Sequence, residues 1–291
     1  MNKRKIVNFL TGMPPFVWLV VFYALPVLMV FLLAFKPVDS YGDFGPGWTL
    51  RTIMDLANPS YPSIIWRTLW LAFVSTAICI CVAVPISYQL SRMESKLKNL
   101  FLLLIIVPFW TNFLIRIYAW KVFLHPQGTL HKLLEFVGII HTDTMLLYNQ
   151  WAVLVVMIYT YIPYAVLPIY ATAEKFDFSL LDAAKDLGAS SFYAFRRVFL
   201  PGIAKGIKTA VMVVLIPAFG AYLIPDLVGG PTSELMGDKI AQRVFVDRNL
   251  PHASALSALL MLVVFLPLLI SAIVKKRQEK KEMTSDGTSA S

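Results

Sequence analysis

The sequence predicts an all-α integral membrane protein with six transmembrane helices, and three observations predict it. The 291-residue chain is 58% hydrophobic and 15% charged, whereas soluble domains hold about 45–50% apolar and roughly 25% charged residues. It contains six apolar runs that meet the need for about 20 residues to cross a hydrocarbon core about 30 Å thick. Its Lys and Arg residues gather on one side of those runs.

The runs are Met13–Phe35, Ile64–Leu90, Leu100–Leu124, Gln150–Ala173, Gly206–Val228 and Ala253–Val274. Residues 1–12 then form a short N-terminal segment, 36–63 an external loop, 64–275 the main transmembrane domain and 276–291 a tail. The first run follows Lys3, Arg4 and Lys5, as a signal peptide would. Its apolar core is longer than an h-region and no small-residue cleavage site follows, so it predicts an uncleaved first span.

Positive residues near span ends are retained in the cytoplasm. Of the 26 Lys and Arg residues, 17 fall on the side of the N-terminus, the segments around Arg92–Lys98 and Lys175–Lys208, and the tail from Lys275. Both termini and the segment before the fifth run are therefore expected in the cytoplasm. The net charge of +9 is accounted for by this topology signal and calls for no nucleic acid. The tail KKRQEKKEMTSDGTSAS reads as solvated. Cys79 and Cys81 sit two apart within one run, on different helix faces, so no disulfide is expected.

Catalytic and cofactor motifs are few. GIAKGIKT at Gly202–Thr209 lacks the spacing and the Gly-Lys-Ser/Thr ending of a phosphate loop. His125, His131, His141 and His252 lie in or near outward loops without an HExxH pattern or Cys partners, and read as solvated loop residues rather than a metal site. No Ser-His-Asp signature appears.

The polar stretch SLLDAAKDLGASSFYAFRRVFLP (Ser179–Pro201) stands between two apolar runs. Ser179 and Asp182 fit a capping box, and Gly188 fits the left-handed position that ends a helix. A second helix is expected to start at Ser190 or Ser191, to end near Arg196 and Arg197, and to be followed by Pro201 opening the next span. The product is a pair of short helices whose Ala183, Ala184, Leu187, Phe192, Phe195 and Phe199 supply apolar surface. From periodicity alone it is either a docking knob or a plain elbow between spans.

The spacing Asp182-Ala183-Ala184, Gly188, Val198, Leu200-Pro201 resembles the cytoplasmic signature loop of permease subunits in binding-protein-dependent ABC importers. That signature is Glu-Ala-Ala, three residues, Gly, nine residues, Ile, any residue, Leu-Pro. Asp for Glu and Val for Ile are the departures, and they keep charge and shape. The segments Ile106–Trp120, Tyr161–Ser190 and Ile216–Ile240 look like those of permeases in spermidine/putrescine importers, and the likeness spans about residues 65–275. It implies a type I importer permease fold and a coupling role for the loop (about 174–205), which docks on an ATPase. It further implies two ATPase subunits, a second related permease and an external polyamine-binding protein in the bacterial cytoplasmic membrane. ATP and Mg would belong to the ATPase, and this chain would bind no cofactor and be no enzyme.

Independently, the runs read as a pathway. The fourth holds Tyr159, Tyr161, Tyr164 and Tyr170 with Pro163 and Pro168, and the fifth holds Pro217, Phe219, Gly220 and Pro225 before Asp226. Proline frees carbonyls that must be satisfied by protein or water, so broken spans line cavities, and carbonyls with tyrosine faces suit a polyammonium chain. Trp110, Thr111 and Asn112 offer a stacking face and hydrogen bonds, and Asp226 a carboxylate near the outer mouth. For the tyrosines, pathway lining and an interfacial belt both stay open, as does a helix cap for Asp226. Arg116 in the third run needs a partner and reads as a clamp. A same-fold permease for another solute, such as an organophosphonate or iron, is the alternative; a channel or membrane enzyme is more distant.

Overall fold

The computed structural model describes residues 12–39, 41–141 and 144–266. Among the described residues the regular structure is helical, with Val38 and Phe44 forming an isolated bridge. In chain order the helices are α1 (Gly12–Leu33), α2 (Ser60–Arg92), α3 (Ser95–Trp110), α4 (Phe113–Leu124), α5 (Thr129–Phe136), α6 (Gln150–Ala173), α7 (Ser179–Asp186), α8 (Ser191–Gly202), α9 (Ala204–Phe219), α10 (Met236–Phe245) and α11 (Leu250–Leu266).

α1, α2 and α6 are each long and apolar enough to span a membrane. Two bent pairs complete up to five candidate spans: α3 with the run Phe113–Phe136, at 95°, and α8 with α9, at 69°. α11 is a shorter apolar helix, and the continuation of the sixth run to Val274 lies outside the described residues. The fourth run coincides with α6, which runs unbroken through Pro163 and Pro168. That span was expected to be interrupted; its neighbours hold the helix together where the prolines remove donors.

The third run is interrupted instead, and the fifth breaks among the prolines where a broken span was expected. The third, read as one run from Leu100 to Leu124, starts at Ser95 and breaks after Trp110. Thr111 takes an extended conformation and its hydroxyl donates to the Pro108 carbonyl at 2.7 Å. Asn112 then caps α4, its side-chain oxygen accepting from the Leu114 N–H at 2.8 Å, the role for which Asn is favoured. The fifth, read from Gly206 to Val228, stops at Phe219 behind Pro217 and resumes as a π-helical turn, Pro225–Gly229.

The chain divides into two compact units, Met1–Tyr61 with Lys239–Ser291, and Pro62–Asp238. In the first, Ala34 packs with Ala255 and Ala258, with Phe31 and Leu56 against them. The loop after α1 turns at Gly42, whose φ is +86° and whose missing side chain admits the Arg248 carbonyl. The Tyr61 hydroxyl lies 3.1 Å from His252 Nε2 and accepts from Arg243, which also pairs with Asp247 at 2.7 Å.

The second unit is built on α2, α6 and α9. Its buried faces repeat small residues at helical spacing: Ala72, Cys79 and Ala83 on α2, Ala165 and Ala173 on α6, Ala210 and Ala218 on α9. Small residues let helix backbones approach where lipid supplies no hydrophobic drive for helix association. Gly206 makes the point: a Cβ there would overlap Thr172 Oγ1 and lie 2.8 Å from the Pro168 carbonyl. Ser87 Oγ reaches across to the Val166 carbonyl at 3.3 Å. His131, expected in solvated loop, is instead buried, with Nε2 3.0 Å from the Thr144 carbonyl, because α5 lays that face on the segment at Thr144.

Candidate functional site

The loop between α6 and α9 is two short helices set at a turn. α7 runs Ser179–Asp186 and ends in a two-bond lock: the Gly188 N–H donates to Lys185 O at 2.8 Å and the Ala189 N–H to Ala184 O at 3.0 Å. Gly188 sits at φ +86°, the left-handed residue this C-terminal motif requires. Ser190 caps α8 by accepting from the Tyr193 N–H at 3.2 Å. The expected box at Ser179 and Asp182 is not what starts α7. Asp177 accepts from the Ser179 N–H at 3.0 Å, while Asp182 pairs with Lys185 at 3.3 Å; the carboxylate two residues before Ser179 reaches the free N–H first. Hydrogen bonding from Ser179, its side chain first and its N–H second, holds the Asp177 carboxyl below the usual carboxylate range.

α8 extends beyond its expected end at Arg196 and Arg197. A π turn over Phe195–Phe199 carries it through Leu200 and Pro201 to Gly202, and the bend into α9 falls at Ile203. Pro201 therefore closes the loop rather than opening the next helix. The widened turn accommodates its missing N–H.

One side of the loop is clamped. The Tyr88 ring, near the end of α2, meets Phe195 at 5.3 Å and Phe199 at 4.9 Å, edge to face, and Phe178 stacks on Phe199. Such aromatic pairs contribute about 0.5–1.5 kcal/mol each beyond burial. Arg92 donates to the Tyr88 hydroxyl at 2.6 Å and lies over the Phe178 ring. Phe176 occupies the space a side chain at Gly202 would need. Leu181, Ala194, Phe199 and Ile203 are buried beneath. At the loop entrance Glu174 accepts from Lys98 at 2.9 Å and from the Tyr170 hydroxyl at 2.7 Å. These hydrogen bonds, Tyr170's first, hold its carboxyl below the usual range.

The other side is open. Leu187 is 90% exposed and Phe192 74%, with Tyr193 and Leu180 also exposed. Of the motif residues, Asp182, Ala183, Gly188 and Pro201 are exposed, and Ala184, Val198 and Leu200 are half-buried. A rigidly backed apolar surface of this kind is what a docking partner can push.

The pathway candidates divide. Tyr161 and Tyr164 meet edge to face, and Tyr164 meets Phe109. Tyr161 donates to the Pro217 carbonyl at 3.3 Å. Tyr159 packs on Trp120, and Phe219 is buried against Phe73. Trp110, Thr111 and Asn112 are exposed at the α3–α4 corner, and Asp226 is exposed on the π turn. Arg116 lies 5.7 Å from the ring centres of both Phe109 and Phe113, and among the described residues it has no acidic partner. The clamp formed by Tyr88, Arg92, Phe176 and Phe178 is not anticipated from the sequence. Its signal is the Phe-Asp-Phe run just ahead of α7.

Fold and loop together define a polytopic helical membrane protein with a structured loop between two of its helices. The chain belongs to the family described as binding-protein-dependent transport system inner membrane component, whose profile matches residues 80–281. It is 37% identical over 255 residues to the spermidine/putrescine transport system permease protein PotB of Haemophilus influenzae, covering 88% of each chain. It is 35% identical over 266 residues to PotB of Escherichia coli, covering 90% of this chain and 97% of that one. A crystal structure of a bacterial ABC transporter that imports the acidic polysaccharide alginate shares the fold, with a TM-score of 0.72 at 17% identity over 94% of this chain and 96% of that one. The protein is thus an inner-membrane ABC importer permease.

Proposed function

We propose that this permease carries polyamines, spermidine and putrescine, inward across the cytoplasmic membrane by alternating access. The relatives named for polyamine transport support the substrate class. The single observation that carries the mechanism is the loop from Asp182 to Pro201, clamped on one side to α2 and apolar on the other. In this reading both termini and the loop are cytoplasmic. Leu187, Phe192 and Tyr193 seat the chain on an ATPase subunit. ATP and Mg act on two such subunits and not here.

A second related permease completes the pore, and an external polyamine-binding protein delivers substrate. When the ATPases close, the loop moves as one body with the end of α2, because the Tyr88 ring locks onto Phe195 and Phe199. Tyr161, Tyr164 and Asp226 face the substrate, and Trp110, Thr111 and Asn112 stand at a corner of its path; Tyr159 and Phe219 support them by packing. The test is co-purification from cells expressing all subunits. Leu187→Asp is expected to lose the ATPase subunits while the second permease stays bound. Retention of the ATPase at the wild-type ratio contradicts the docking role.

A further inference from the structure

α9 rises about 24 Å from Ala204 to its end at Phe219, less than the thickness of a hydrocarbon core of about 30 Å. Pro217 offers no N–H to the carbonyl four residues before it, while in the last turn the Ala218 carbonyl accepts from the Gly220 and Ala221 N–H groups and the Pro217 carbonyl from the Tyr161 hydroxyl. The negative end of the helix dipole lies there. At this break lies a cavity of about 190 Å³, whose lining includes Phe113, Tyr161, Pro217, Gly220, Tyr222 and Ile224.

The chemistry of this cavity is one-sided. No lining residue is charged, and what the cavity presents is carbonyl oxygen, ring face and aliphatic wall. An anion finds almost no donor here, since the Tyr161 hydroxyl is already given to the Pro217 carbonyl. An ammonium group finds acceptors and an aromatic face, and a methylene chain finds the wall. Tyr222 is exposed at the rim. Asp226 stands one turn further, its N–H donating to the Tyr222 carbonyl at 3.1 Å. Among the described residues the Asp226 carboxylate has no cationic partner. Arg116, over the Phe113 ring, raises the local potential and keeps the hold on a cation weak, as a transport step requires, since what enters must leave.

We propose that the cavity at the interruption of α9 is an alkylammonium subsite on the translocation path. The Pro217 carbonyl, which has a second lone pair beyond its bond with Tyr161, accepts an ammonium N–H, Tyr222 supplies the ring face, and Asp226 takes the next ammonium of the same molecule. The proposal rests on the polyamine reading above and assigns Tyr222, Gly220 and Phe113 to that path.

The test uses the complete transporter, with its second permease, ATPases and binding protein, in liposomes with labelled putrescine and spermidine. Gly220→Leu is the blocking variant. Gly220 has φ −90°, and a Cβ there meets nothing closer than the Pro217 carbonyl at 3.9 Å, so the side chain fills the cavity without disturbing the backbone. Uptake of both amines is expected to fall at least about tenfold, while ATP hydrolysis stimulated by the loaded binding protein stays within about twofold. Tyr222→Leu is expected to lower uptake about fivefold and Tyr222→Phe to preserve it. Wild-type uptake in Gly220→Leu overturns the subsite. If that variant does not assemble, equal uptake by the two Tyr222 variants overturns it. A wild-type complex that takes up no polyamine fails the substrate reading itself, whatever the variants do.

Discussion

Replacing Gly188 by valine isolates the backbone's part in coupling. A Cβ at this position meets nothing within 4 Å, so any defect cannot come from a clash. It comes from φ, which at +86° lies where an L-residue costs about 1–2 kcal/mol and a β-branched one is an outlier. The alternative for the chain is to leave that conformation and give up the bonds from Gly188 N–H to Lys185 O and from Ala189 N–H to Ala184 O, at about 0.5–1.5 kcal/mol each. Either way the loop's working geometry loses about 1–2 kcal/mol, a factor of roughly 5–30 in its population. The assay is uptake of labelled substrate per ATP hydrolysed by the assembled transporter. Gly188→Val is expected to insert and to lower that ratio about tenfold, with Gly188→Asn much milder because Asn tolerates this region. Valine at wild-type coupling and full expression would refute the reasoning.

Other outcomes follow from the same packing. Gly206→Ala drives a methyl into Thr172 Oγ1 and the Pro168 carbonyl, and is expected to destabilise the α6–α9 interface by about 1–3 kcal/mol, read as a lower melting temperature in detergent. Tyr88→Ala removes the hub of the clamp and is expected to leave ATPase binding intact while uncoupling hydrolysis from uptake; unchanged coupling counts against the rigid-body account. Glu174 has a folded pKa below its unfolded value, so its contribution is present above the ordinary carboxylate range near pH 4.3 and fades as pH falls through the depressed folded value. The melting-temperature difference between wild type and Glu174→Gln is therefore expected to shrink on acidification, and a difference that grows contradicts the assignment. The effect is small, because the Glu174 carboxylate of the pair with Lys98 is exposed to solvent.

The spans are legible in the sequence because, in a charge-poor chain, apolar runs of 20 or more residues match the thickness of a bilayer core and little else. The fourth run coincides with α6 to the residue, since Asn149 supplies a side-chain cap at its start, accepting from the Trp151 and Ala152 N–H groups. The breaks are harder to read. Pro163 and Pro168 look like stronger breakers than Thr111 and Asn112, yet the former are held in place by neighbours and the latter end one helix and cap the next. Composition reports a proline's missing donor but not whether tertiary packing replaces it. In the loop, Gly188 announces its position because a left-handed residue is what ends a helix this way. Asp177 does not, because Ser179 three residues ahead of Asp182 also fits the capping-box spacing. The clamp is illegible for a different reason: Tyr88 and Phe199 are far apart in the chain, and no local pattern links them.

The measurement that tests the central claim most directly is uptake of labelled spermidine and putrescine by cells whose other polyamine importers are removed, with and without this chain. Uptake that disappears on its deletion, returns with the intact chain and is competed by unlabelled polyamine is the predicted result. Uptake unchanged by the deletion contradicts the polyamine assignment and returns the importer's substrate to the other solutes its fold can serve.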